Sequence, residues 1–162
     1  MIDLSKGLSF DSYLKKSQEK YGDIQDKAYN NTNLSGNAKE EIKKLDKIIH
    51  ATVFTEGFCP DCIVTIPFIQ KLSEENPNLK IHYMPRTGFE DFLEEAVGSK
   101  SIPIIITFDE DMNPKGAYVE TPKELQEKMV GLSQEERKAI YSEYRNGKYN
   151  NLIETNLLDI IL

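Results

Sequence analysis

Cysteine and histidine are scarce in this chain, with only two of each in 162 residues. Two cysteines cannot make the disulfide framework that staples small secreted domains. A structural zinc site usually takes four ligands, and neither His50 nor His82 has the paired spacing such a site needs. Long hydrophobic runs are missing too: none approaches the ~18 residues that cross a bilayer. Met1 to Gly7 lacks the charged-then-apolar pattern of a secretory signal. Positive charge is in deficit. Lys and Arg number 20 against 27 Asp and Glu, a net charge of −7. That sign disfavours nucleic acid and anionic membrane as partners. The N-terminal segments hold no Gly-rich phosphate loop, and no repeat or low-complexity tract occurs. The expectation is a soluble cytoplasmic protein.

What is present suffices for one folded unit. At 39% hydrophobic residues, the chain can build a core without covalent staples, so residues 1–162 are expected to form a single domain. Phe10, Tyr13, Leu14, Tyr21 and Ile24 recur at helical spacing and predict one amphipathic helix over 9–30. A second helix is predicted over 38–47. A strand follows at 49–55, a helix to about Glu75, and a strand over 79–84. Thr87 is the predicted cap of a short acidic helix that ends at Gly98. Ser101 to Phe108 reads as a buried strand, and 116–120 as its antiparallel return across a turn-rich 109–115. Three helices complete the chain. One opens at Pro122, one is capped by Ser133, and the last carries Ile153, Leu157, Leu158 and Ile161 on its apolar side. This order predicts an α/β fold, a mixed sheet with helices on both faces.

Both cysteines fall in one pentapeptide, Phe58-Cys59-Pro60-Asp61-Cys62, where the first strand turns into a helix. A helix N-terminus offers unpaired N–H groups and partial positive charge, which stabilise a thiolate. Cys59 comes first at the turn and should be the more exposed. Cys62 lies one helical turn further on and can reach back to it.

The order of elements and this motif resemble the thioredoxin-like family. Pro67 stands five positions after Cys62, where that family has a helix-kinking proline. Ile102-Pro103 matches its Ile-Pro, whose proline follows a cis peptide bond and packs against the cysteines. The 44 positions from Cys59 to Pro103 suit its spacing, and Phe58 holds an aromatic site usually taken by Trp. The resemblance covers about 48–130, leaving 1–47 and 131–162 as helical extensions. The full layout is similar to a bacterial group of thioredoxin-like proteins. Three departures stand out. Pro60-Asp61 replaces Gly-Pro between the cysteines. Proline at that place resembles glutaredoxins, but their glutathione-holding motifs are absent. Val53 occupies the place of a buried Asp that helps deprotonate the second cysteine.

The resemblance implies a thiol-disulfide oxidoreductase active in cell redox homeostasis. Cys59 would attack and Cys62 resolve, with Pro103, Ile102, Phe58 and Pro60 shaping a groove for an extended substrate. No organic cofactor is implied; electrons would come from a reductase or a low-molecular-weight thiol. Substrates would be disulfide-bearing proteins or small thiols. With Val53 unable to accept a proton, Asp61 and Glu56 are the nearest carboxylates, and Asp61 is the candidate acceptor for Cys62. Its charge should also raise the Cys59 pKa, which favours a reducing protein. The alternatives are a non-turnover adaptor or redox sensor on the same fold and, on Pro60 alone, a glutathione-dependent reductase.

Overall fold

The structure is a computed structural model and describes residues 2–162. A short 3-10 turn, Leu4–Lys6, leads into helices α1 (Phe10–Lys16), α2 (Glu19–Asn31) and α3 (Gly36–Ile42). Then come β1 (Ile49–Phe54), α4 (Pro60–Glu75), β2 (Leu79–Met84), α5 (Glu90–Val97), β3 (Ile104–Phe108) and β4 (Pro114–Val119). Helices α6 (Lys123–Met129), α7 (Gln134–Arg145) and α8 (Asn150–Ile161) close the chain.

The strands form one sheet in the order β2-β1-β3-β4. β1 and β2 are parallel, with Phe54 opposite Met84; β3 is antiparallel to both β1 and β4. The mixed α/β architecture expected from the sequence is therefore present. Central strands β1 and β3 are buried along almost their whole length. That is the pattern of a sheet covered on both faces. Phe54 packs edge-on against Phe89 at 5.3 Å, just ahead of α5. α4 packs against α2, α3, α7 and α8. The N-terminal and C-terminal helices share one continuous core with the sheet: Tyr13, Ile42, Ile153 and Ile161 belong to it.

Several predicted boundaries move, each for a local reason. The single helix expected over 9–30 is broken at Ser17-Gln18, and α2 folds back on α1 so closely that a Cβ on Gly22 would meet the Leu14 carbonyl at 3.0 Å. α3 is capped by the Ser35 hydroxyl and stops at Ile42 rather than Lys47. Thr87 does not cap α5, because its N–H and hydroxyl are both taken by Glu56. The third strand begins only at Ile104, after a cis Ile102–Pro103 bond.

Two close approaches position the edges of the sheet. Leu8 exchanges both backbone hydrogen bonds with Tyr83 and so covers β2, which would otherwise leave ladder groups open. At the other edge Gly116 admits α8: a Cβ there would sit 3.0 Å from Ile160, whose carbonyl accepts a 2.6 Å bond from the Thr107 hydroxyl.

Candidate functional site

β1 delivers the chain at Phe54 to a four-residue loop, and Cys59 follows as the N-cap of α4 in extended conformation. Its Sγ accepts the Cys62 N–H at 3.3 Å. Pro60 sits in the first turn, where a missing N–H has no helical partner to lose. Both cysteines are free thiols. Cys59 is 8% exposed and Cys62 is fully buried, so the expected ranking holds, but the first sulfur is nearly covered.

The two thiols are pushed apart in acidity. The Cys59 pKa is lowered, mainly by the hydrogen bond from the Cys62 thiol, with the Cys62 and Asp61 N–H groups adding to it against burial and the Asp61 charge. The Cys62 pKa is raised well above its usual value by burial, then by the hydrogen bond it gives to Cys59 and by the neighbouring thiolate. The pair is thus suited to hold a thiolate at Cys59 and a proton at Cys62. The opposing effects expected at Cys59, from the helix N–H groups and from the Asp61 charge, are both present. The carboxylate of Asp61 does oppose the thiolate, but the helix N–H groups and the Cys62 thiol outweigh it.

Asp61 is buried, and its two oxygens accept Arg145 Nε at 2.9 Å and Nη2 at 3.3 Å. This occupies the carboxylate expected to serve Cys62. The Cys62 N–H is held by the Cys59 sulfur, and the Thr55 hydroxyl, buried in the loop after β1, is paired with Tyr13 Oη at 2.9 Å. The Glu56 carboxylate points elsewhere, accepting the N–H groups of Arg86 and Thr87 and the Thr87 hydroxyl. Val53, at the position of the missing acid, is fully buried in the core. Replacing Glu56 with Ala should release the 86–87 turn. Hydrogen–deuterium exchange at the Arg86 and Thr87 amides should then speed up while β1 and β3 amides stay protected.

Ile102 and Pro103 are buried beside the cysteines, and the Ile102 carbonyl lies 3.6 Å from Cys59 Sγ. The Pro103 carbonyl accepts the Glu120 N–H at 2.7 Å. Glu120 has a positive φ of 66°, unusual for a residue with a side chain, and its carboxylate accepts the Tyr141 hydroxyl at 2.9 Å. Burial raises the Glu120 pKa. Phe58 is 56% exposed and, with Tyr13, Tyr21, Tyr83 and Phe89, lines a cavity of about 500 Å³ between the N-terminal helices and the loop ahead of Cys59. The extension therefore borders the loop that carries the cysteines.

Arg145, Glu120, Tyr141, Thr55 and Tyr13 also belong to the site, and the sequence pattern singles out none of them. Arg145 is 84 positions from Asp61, and no spacing rule links them. Only the missing buried acid at Val53 signals that another group must face Cys62. Among the described residues no group of three or more His, Cys, Asp or Glu side chains could hold a metal. No helix there is long and apolar enough to cross a membrane.

A family model described as thioredoxin matches residues 7–145. A protein of unknown function from Pseudomonas aeruginosa has a similar solved structure, with a TM-score of 0.81 at 19% identity over 98% of this chain and 93% of that one. An HIV epitope scaffold is similar to the same degree, at 0.80 and 18% identity over 98% and 94%. No curated protein matches the sequence.

Proposed function

Because the chain belongs to the thioredoxin family, we propose that it is a thiol-disulfide oxidoreductase that reduces disulfides through Cys59 and Cys62. The observation that carries this reading is a pair of free thiols one turn apart at the start of a helix, with the Cys62 N–H given to the Cys59 sulfur at 3.3 Å; the opposite directions of their acidity shifts support it. The Cys59 thiolate attacks a substrate disulfide, forming one S–S bond and breaking another, and the departing substrate thiolate takes a proton from solvent. Cys62 then attacks the Cys59 sulfur, closing the Cys59–Cys62 disulfide and expelling the second substrate thiolate, which is protonated in turn. The substrate has gained two electrons and two protons, and a reductase or a low-molecular-weight thiol returns the electrons.

Pro103 offers no N–H to the sulfurs and forms a wall of the groove, leaving the Ile102 backbone to pair with an extended substrate chain. Phe58 and Pro60 flank that groove. Burial and Asp61 both limit how far the Cys59 thiolate is stabilised, which supports a reductant over a strong oxidant. In the presence of dithiothreitol, the protein should accelerate insulin disulfide reduction, and its potential should lie below about −200 mV. A potential near −180 mV or above, roughly that of protein disulfide isomerase, would count against the direction of flow. A second reading, a redox sensor without turnover, is favoured by the near-complete burial of Cys59. Absence of insulin reduction, with the disulfide still forming, would select it.

A further inference from the structure

We propose that the cavity between the N-terminal helices and the loop ahead of Cys59 is a binding site for a small amphipathic anion, an aromatic body carrying one carboxylate. Neither cysteine lines it, nor does Ile102 or Pro103. The site is therefore separate from the groove beside Pro103, and it stands or falls without the dithiol reading above.

The volume suits a small molecule. The cavity measures about 500 Å³, and sites for such ligands run from about 300 to 1,000 Å³. Its floor is buried and is made by Tyr13, Tyr83 and Met84. Both phenol hydroxyls there are already bonded, Tyr13 to Thr55 and Tyr83 to Gln70, each at 2.9 Å. The floor thus makes no polar demand on a ligand. It is also held from behind. Tyr13 stacks on Tyr83 at 5.2 Å and 16°, Phe10 packs on the same Tyr83 ring at 5.8 Å, and Leu8 exchanges both backbone hydrogen bonds with Tyr83. The break between α1 and α2 closes one side, at Ser17, and Gly57 admits it: a Cβ on Gly57 would lie 3.0 Å from Ser17 Oγ. A ligand would not have to order these walls, which removes a large cost of binding.

The facing wall is the whole loop between β1 and Cys59, Thr55 to Phe58. Phe58 is the one exposed aromatic side chain among the described residues. With Tyr21 and Phe89 also lining the cavity, an aromatic ligand finds rings to pack against, and Phe58 loses exposed apolar surface by covering it.

Charge selects the rest of the ligand. Three charged side chains line the cavity: Lys6, Lys16 and Glu56. The Glu56 carboxylate is taken by the Arg86 and Thr87 N–H groups and the Thr87 hydroxyl. Lys6 and Lys16 are exposed and form no ion pair among the described residues. The uncommitted charge at the rim is therefore positive, in a protein whose net charge is −7. The field of the whole molecule repels anions, so a preference for one must come from a local site.

The probes are 1-naphthoate and 1-naphthamide, which share a ring system and differ in charge. Each is titrated calorimetrically into the full-length protein, and the site is located by amide NMR shifts. 1-Naphthoate should bind at one site per chain, about fivefold more tightly than 1-naphthamide, the effect of two exposed ion contacts. It should shift the Tyr21, Gly57 and Phe58 amides and leave Ala117 and Tyr118 on β4 in place. Lys6→Gln combined with Lys16→Gln should erase the preference and keep the affinity for 1-naphthamide, which shows the cavity intact. Phe58→Ser should weaken both probes about tenfold through lost apolar contact. Equal affinity for the two probes in the wild type, a preference that survives loss of both lysines, shifts centred elsewhere, or no saturable binding would each overturn the proposal. So would a concentration-dependent dimer dispersed by Phe58→Ser, which would assign the cavity to a second copy of the chain.

Discussion

Cys59→Ser should abolish all acceleration of insulin reduction above the dithiothreitol background, while Cys62→Ser, given a disulfide substrate without added reductant, should stop after one chemical step and remain joined to it. The asymmetry follows from geometry. Cys59 is the sulfur that receives the helix N–H groups and the Cys62 thiol. It is also the one with residual access to solvent, at 8% against 0%. A serine at 59 leaves no nucleophile of comparable acidity, because the Cys62 thiol is held protonated by burial. A serine at 62 keeps the N–H at 3.3 Å and a hydroxyl donor beside Cys59, so attack survives. What is lost is the only sulfur that can release the mixed disulfide. Intact-mass analysis after exposure to an oxidised peptide should show the peptide covalently attached to Cys62→Ser, lost on adding reductant, and absent from Cys59→Ser. Persistent insulin reduction by Cys59→Ser would remove Cys59 from the role of attacker. The same trap makes Cys62→Ser the reagent for finding natural clients.

The parts of this site written in adjacent residues are legible in the sequence; those assembled across the fold are not. The cysteine spacing, the cap position and the Pro60 start of α4 are local, set by one turn of helix. Strands β1 and β2 are legible because their apolar runs are bounded by turn residues. The antiparallel return of β4 is legible because Asp109 closes the turn with bonds to the Asp111 and Asn113 N–H groups. The break at Ser17-Gln18 is hidden because amphipathic spacing continues through it; only the packing of Gly22 on Leu14 requires the fold-back. Asp61 misleads for a similar reason. Its sequence neighbours are cysteines, so its charge reads as aimed at them. Its actual partner arrives from the far end of α7, and an ion pair built across 84 positions carries no local signature. Thr87 shows the same effect at small scale, with a good capping residue claimed by the Glu56 carboxylate from another loop.

Removing Arg145 should make Cys59 less acidic and the protein less stable, and removing Asp61 with it should undo most of both effects. Asp61 is buried, and Arg145 bonds both of its oxygens. With Arg145→Met the carboxylate remains in a dry place with no partner, where its full charge acts on Cys59. The favourable attraction between the guanidinium and the Cys59 thiolate is lost as well. Both changes disfavour the thiolate. The Cys59 pKa, read from the pH dependence of iodoacetamide alkylation, should rise by about one unit. Urea denaturation should show a loss of about 1–3 kcal/mol, toward the lower end because the Arg145 side chain is 43% exposed and water can partly replace it. Asp61→Asn alone should move the alkylation profile the other way, to lower pH, since the one charge that opposes the thiolate is gone. The double variant, Asp61→Asn with Arg145→Met, should titrate close to wild type, because the two charges cancel at Cys59 when both are present and leave nothing when both are absent. The coupling is what distinguishes an ion pair that sets the acidity of the nucleophile from one that only fastens α7 to α4. A fastening role would lower stability in every variant and leave the alkylation pH profile in place.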